Sequence, residues 1–547
     1  MKMERTVLAV SRGDGAASFH GPLVRALFVG CVAIAATSPV DAETAPAPLA
    51  IPLELGAIPP KDMIALAPDG IEKGIAALPA IVGDTMKRSG VPGMAVAVVH
   101  GGKTVFAQGF GVRELGKDAL VDPQTVFQIA SLSKPIAGTV AAIAVTRGTV
   151  SWDDKVARFL PSFALAEPYL TANATIGDFY AHRSGLPLAA GDDLEDLGFD
   201  RKTILERLRL LPLDRFRISY HYTNFGITLG AEAVAAASGL AWEDLAATAL
   251  FVPLGMASTS SRHADFLGRK NRTVLHALEN GRFQPLYDRN ADAQSPAGGV
   301  SSNVVDLAEW LKLLLSGGEF RGARISPEAL APMLRAQAFS APAPAPDARS
   351  GFYGYGFNVG VDADGRPRMS HSGAFVLGGA TNMQMIPSAG VAIVVLTNAG
   401  PVGAAETVAT QFMDFAQYGA STRDWFKLYH PLLLNYYEPA GDLVDAKPPT
   451  DPIPASAPTA YVGTYRNDYF GPASIDLDGQ DLYFSAGPKA ARLKLSHRTD
   501  DEFSVAPRGE NQPFGSLSSV KFTVKDGKAV SFTVGYLDGN GMGTWRR

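Results

Sequence analysis

Hydrophobic and polar positions along the chain fall into three successive patterns. Apolar residues in IEKGIAALPAIVGDTMKRSG (71–90) recur at helical spacing, which predicts an amphipathic helix. GMAVAVVHGGKTVFAQGFG (93–111) holds two β-rich runs around Gly101-Gly102, a hairpin pattern. SKPIAGTVAAIAVTRG (133–148) is apolar on every side, without a charge between Lys134 and Arg147, so it reads as a buried helix. Helical spacing continues in DDKVARFLPSF, NFGITLGAEAVAAASG, AWEDLAATALFVPLGM and VVDLAEWLKLLLSGG. Strand-like runs return in YGYGFNVGV (353–361) and NMQMIPSAGVAIVVLTN (382–398), and AFSAPAPAPDARS (338–350) is too proline-rich for either element and reads as a surface loop.

The order strand, helices, strand predicts an α/β domain, an antiparallel sheet flanked by helices with a helical region packed against or inserted into it. A helical tail (about 405–437) leads into KPPTDPIPASAP, a proline-rich linker. From Tyr461 onward short alternating runs punctuated by Asp-Gly and Asn-Gly predict a small all-β barrel or sandwich. The expected divisions are 1–42, 43–74 (lead-in), 75–440 (α/β domain), 441–456 (linker) and 457–547 (β domain).

Composition narrows the function classes. Lys and Arg number 49 against 54 Asp and Glu, a net charge of −5, so there is no basic footprint for nucleic acid. Arg25, the run ALFVGCVAIAATS and then PVDA have the order of a secretory signal with cleavage after Ala42. The apolar run is shorter than the about 20 residues a membrane span needs. Export to the periplasm or medium is expected, with no stable membrane span after cleavage. Cys31 is the one cysteine and would leave with the signal, so no cysteine chemistry is expected of the mature chain.

Candidate chemistry begins at IASLSKPIAG (129–138). Ser131 and Lys134 stand one helical turn apart on one face, and Pro135 suits a helix start. Serine needs a base, and a lysine becomes one when burial lowers its pKa from about 10.4. Alone the pattern is weak, since Ser518 and Lys521 repeat it. Tyr222 and Asn224 in YHYTNFGITLG supply a candidate proton relay and an orienting amide, although Tyr465 and Asn467 repeat that spacing too. The third element is MSHSGAFVLGG, with His371, Ser372 and Gly373 heading a strand whose glycine admits a close backbone approach. His100 to Gly102 repeats that spacing inside the hairpin.

Only one ordered set shares a domain: SLSK, YTN and HSG, accompanied by ATIGDFYAHRSGLP, LFVPLGM, SPAGGVSSNVVDLAEWL and MIPSAGVAIVVLTN. Across about residues 75 to 415 the chain resembles the class C β-lactamase-like serine hydrolases of the serine β-lactamase and penicillin-binding-protein superfamily. The resemblance implies Ser131 as acylated nucleophile, Lys134 as general base and Tyr222 sharing proton transfer. It places the oxyanion hole at the backbone N–H groups of Ser131 and Ala374, and substrate contacts at Asn224, His371, Ser372 and Gly373. No metal or organic cofactor is implied.

The sequence departs from the pattern at His371, where β-lactamases and D,D-peptidases of this superfamily usually carry lysine. A neutral histidine is a weaker anchor for a substrate carboxylate. The expected function is therefore cleavage of amide or ester bonds in small molecules or short peptides. β-Lactamase or D,D-carboxypeptidase activity ranks second, ahead of a non-catalytic binding protein on the same scaffold. Asp192, Asp193, Glu195 and Asp196 in GDDLEDLG form either a rim for amine-bearing substrates or, the preferred reading, a solvated acidic loop.

Overall fold

The computed structural model describes residues 66–547 apart from residue 363. The expected signal segment, Cys31 and most of the lead-in therefore lie outside the described residues. Helix α1 (Gly70–Ser89) precedes the hairpin of β1 (Gly93–His100) and β2 (Lys103–Gly111), whose turn has Gly101 and Gly102 at φ 55° and 75°. Ser131 lies in a short 3₁₀ turn, Ala130–Leu132, that runs into helix α2 (Ser133–Thr146). The nucleophile candidate thus stands just ahead of the α-helix proper, after Ala130 at φ 48°, a left-handed conformation that costs an alanine energy and must be held by its surroundings. Further along lie α3 (Asp192–Asp196), α4 (Asn224–Ser238) and α5 (Val304–Leu315).

The remaining strands are β3 (Ala338–Ala341), β4 (Gly351–Tyr353), β5 (Asn358–Val361), β6 (Pro367–Phe375), β7 (Gly379–Ile386) and β8 (Val391–Thr397). With the hairpin they form one eight-stranded antiparallel sheet in the order β2-β1-β8-β7-β6-β5-β4-β3. The segment expected as a loop from residue 338 therefore opens with an edge strand, and its prolines begin only after Ala341, where an edge tolerates them.

Side chains alternate across the sheet, as strand geometry requires. Val96, Val98, Ile393 and Val395 pack toward α1 and α6 (Ala404–Tyr418). Ala95, Ala97, Val394 and Leu396 belong to the opposite layer, which contains α2, α4 and α5. Both faces of the central strands are covered, which explains their nearly continuous apolar runs. Strand β5 pairs only with Pro367 to Ser370 of β6. His371 to Phe375 are left with an edge unpaired by β5, and the 3₁₀ turn packs against this stretch.

After α6 and α7 (Trp425–Leu434) the chain crosses to eight further antiparallel strands between Gly463 and Arg546, arranged in sequence order. A bridge between Arg466 and Arg546 closes the circle, so the β domain is a barrel, filled by Tyr465, Phe484, Phe532 and Trp545. The proline-rich connection is fastened to it. Asp442 accepts from the Ser519 amide at 2.8 Å and its hydroxyl at 2.6 Å, and the Ile453 amide donates to Thr499.

Candidate active site

Ser131, Lys134, Tyr222, Asn224 and Gly373 converge where α2, the start of α4 and β6 meet. Ser133, on the far side of the turn from Ser131, donates to the Ala130 carbonyl at 2.6 Å and accepts from the Val300 amide at 3.0 Å. It is a fastener of the strained turn. Gly373 explains how closely β6 passes. A Cβ there would stand 2.2 Å from the Ile129 carbonyl oxygen and 3.0 Å from the Leu132 amide, so only a bare backbone fits. The same Ile129 carbonyl accepts from the Thr381 hydroxyl of β7 at 2.9 Å, tying the turn to the sheet.

Lys134 has no solvent exposure. Its Nζ stands 3.0 Å from Ser131 Oγ, 2.7 Å from Asn224 Oδ1 and 3.0 Å from the Ala297 carbonyl oxygen. Two of these partners can only accept, so a neutral amine spends both N–H bonds on them and directs its lone pair at Ser131. Burial pushes the Lys134 pKa down to about 7, against the opposing pull of Asp192 and Glu195. Desolvation is the larger of the two effects. Burial also pushes Asp192 upward, with Glu195 adding to the effect, which weakens the charge that would hold the ammonium.

Asn224 joins these groups: its Oδ1 faces Lys134 and its Nδ2 donates to Asp192 Oδ2 at 2.9 Å. Tyr222 packs on the His182 ring at 4.5 Å and lies under the Lys134 ammonium, 4.5 Å from Nζ to the ring centroid. Burial pushes its phenol upward, with Ser131 exerting the opposite pull. Among the described residues its hydroxyl has no well-formed hydrogen-bond partner, though it lies close enough to Ser131 to feel it. Tyr222 is thus a neutral phenol beside the serine, suited to pass a proton and unsuited to act as a resting tyrosinate.

The side chains of His371 and Ser372, expected among the substrate contacts, are both engaged within the protein. His371 is 1% exposed. Its Nδ1 lies 2.6 Å from the Ser372 carbonyl oxygen and its Nε2 2.9 Å from the Tyr353 hydroxyl. A carbonyl only accepts, so the proton is assigned to Nδ1 and Nε2 accepts from tyrosine. Burial, aided by Lys134, pushes the imidazole down to about 3, so it is neutral near pH 7. Ser372 turns to the α6 face of the sheet, donating to Glu406 Oε1 and accepting from Asn382 Nδ2, both at 2.8 Å.

The acidic segment departs from the solvated loop that was preferred. It forms α3 and is drawn inward: Glu195 Oε2 accepts from Arg289 at 2.6 Å, and Asp193 accepts from Tyr469 of the barrel at 3.2 Å. Arg289, Tyr353 and the Ala297 carbonyl carried no local signal of their own in the sequence, although Ala297 lies in the SPAGG stretch. Among the described residues no group of three or more histidine, cysteine, aspartate or glutamate side chains is arranged to hold a metal ion.

Comparison with known proteins bears on the family and the fold. Residues 78–417 match the family model described as Beta-lactamase, and residues 447–540 match a domain of unknown function, DUF3471. An unguisins hydrolase from Aspergillus campestris is 27% identical over 417 residues, covering 73% of this chain and 76% of the relative. Penicillin-binding protein 4 of Amycolatopsis lactamdurans is 29% identical over 321 residues, covering 57% of this chain and 81% of its own. An octameric penicillin-binding protein homologue from Pyrococcus abyssi superposes with a TM-score of 0.55 at 20% identity, over 84% of this chain and 98% of that one. A class C beta lactamase from Rhodobacter sphaeroides gives a TM-score of 0.50 at 23% identity, over 62% and 98%. These two likenesses bear on fold alone, whereas the family match covers most of the chain: the protein belongs to the beta-lactamase family, whose members are serine hydrolases, and carries a further β-barrel domain behind it.

Proposed function

We propose that the protein hydrolyses amide or ester bonds of small molecules or short peptides through an acyl-enzyme on Ser131. The observation that carries this reading is the buried Lys134 amine, held by two fixed acceptors with its third direction toward Ser131 Oγ. Lys134 takes the hydroxyl proton as Oγ bonds to the acyl carbon. The Ser131 and Ala374 amides receive the developing oxyanion, a contribution worth about 100-fold or more per donor. Lys134, through Tyr222, returns the proton to the departing nitrogen or oxygen as its bond to carbon breaks. Water then enters by the reverse route and frees Ser131.

Neutral His371 supports acyl groups that need no cationic anchor. β-Lactam or D,D-peptide cleavage is the second reading. The proposed export rests on the N-terminal apolar run.

A fluorophosphonate probe should add one adduct, mapped to Ser131 by intact mass and peptide analysis. Absence of any adduct, together with inactivity across ester, peptide and β-lactam panels, would favour a binding protein instead. The pH dependence should follow Lys134: kcat/KM should rise through an acid limb near pH 7 as the amine loses its proton. His371 is already neutral there, so a limb near pH 4 would contradict this assignment.

A further inference from the structure

The barrel reaches the catalytic domain through the loop around residues 507–514, and two adjacent side chains of this loop hold opposite walls of the site. The Glu510 side chain, 13% exposed, is turned into the catalytic domain. Its Oε1 accepts from the Val376 amide at 2.7 Å and its Oε2 from the Leu377 amide at 3.3 Å. These residues directly follow β6, two and three positions beyond Ala374. Glu510 Oε2 also stands 3.9 Å from Arg289 Nε. Arg289 is buried, pairs with Glu195, lies 5.3 Å from the Phe375 ring centroid and accepts through its carbonyl from Gln128 at 2.6 Å. Asn511 takes the other wall. Its amide and Nδ2 donate to Asp196 Oδ2 at 3.1 and 3.0 Å, and Nδ2 also reaches the Asp192 carbonyl at 3.4 Å.

Burying a carboxylate costs several kcal/mol unless its partners are well placed. Among the described residues the polar partners of Glu510 lie in the catalytic domain, so that cost is offset by what it holds there. On one side is the end of the strand that supplies Ala374. On the other, Arg289 leads to Glu195, whose charge acts on Lys134 together with that of Asp192.

We propose that Glu510 is a positioning residue for the hydrolytic site. With Asn511 it makes the barrel a brace that fixes the end of β6 against α3 and sets the potential at Lys134 through Arg289 and Glu195. The inference rests on the Ser131 hydrolase reading and deepens it by giving the second domain a part in catalysis. Burial pushes Glu510 up to about 7, Asp196 adds to this, and Arg289 and the two amides oppose it. Glu510 therefore titrates near the range where the enzyme is expected to gain activity.

The test uses the full chain with Glu510→Gln, which keeps the side-chain shape but removes the charge facing Arg289 and replaces one acceptor by a donor. Fluorophosphonate should still label Ser131 to completion, but about 10-fold more slowly or worse, since small displacements of reacting groups cost that much or more. The acid limb of the labelling rate should move to lower pH, because the less balanced Arg289 disfavours the Lys134 ammonium. An unmoved limb overturns the proposal whether or not the rate falls, since general loosening slows labelling without altering that titration. If Glu510→Gln does not fold, Asn511→Ala, at the more exposed contact, takes its place: wild-type rate and limb overturn the proposal, and a slowed, displaced profile supports it. Failure of the wild type to label at Ser131 would instead sink the hydrolase reading.

Discussion

Replacing Lys134 by methionine is expected to lower kcat/KM by about 1,000-fold or more while leaving the protein folded. The size follows from removing a general base, worth about 100- to 10,000-fold on its own, from a set in which the nucleophile cannot act alone. The stability argument runs the opposite way. A lysine with its pKa at about 7 in the folded protein and near 10.5 when unfolded costs about 5 kcal/mol of stability at or below neutral pH. Methionine removes that cost and leaves Asn224 Oδ1 and the Ala297 carbonyl short of a donor, at about 1–3 kcal/mol each. These effects nearly cancel, so the melting temperature should be unchanged or higher. A large fall in melting temperature alongside the activity loss would make Lys134 a structural residue.

The same linkage gives a second readout of that variant. Between pH 7 and about 10 the unfolded lysine holds a proton that the folded one has released, so the unfolded state binds more protons and stability rises with pH. Wild-type protein should gain thermal stability across this window relative to Lys134→Met, and below pH 7 the difference should level off. Unfolding curves for both proteins at several pH values would check this.

How much of the site was legible depended on how local its determinants are. Ser131 and Lys134 are three positions apart and their helix is apolar all round, so both the chemistry and the burial that tunes it are written in one stretch. Tyr222 and Asn224 were legible because Asn224 opens α4. The left-handed Ala130 that sets Ser131 ahead of the helix was not legible, because contacts with Val300, Thr381 and Gly373 hold that turn, all more than 160 residues away. Nor was the fate of the acidic segment: four carboxylates in five positions suit solvent, and it takes the distant Asn224, Arg289, Gln294, Tyr469 and Asn511 to make burying them tolerable. Likewise nothing near His371 in sequence announces Tyr353 as the partner of its ring. The barrel was readable from alternation and turn residues, whereas its hold on the catalytic domain depends on single side chains without periodicity.

Gly373→Ala should lower kcat/KM by about 100-fold or more, a larger effect than one methyl group usually has. The backbone at this position does not demand glycine, since Gly373 is absent from the residues at positive φ; the constraint is space. The new Cβ would lie 2.2 Å from the Ile129 carbonyl oxygen, 2.5 Å from Thr381 Oγ1 and 3.0 Å from the Leu132 amide. Neither backbone group can swing aside as a flexible side chain does. The Ile129 carbonyl also receives the Thr381 hydroxyl and the Leu132 amide, so relieving the clash means moving the turn that carries Ser131 away from β6. An overpacked contact of this kind costs about 1–3 kcal/mol. A shift of roughly 1 Å between the serine and the Ala374 amide is enough for a 100-fold loss. The variant should therefore melt only moderately lower than wild type, keep the Lys134 titration near pH 7, and acylate slowly at every pH. If Gly373→Ala folds and retains nearly full kcat/KM, the close passage of β6 is not what positions the nucleophile.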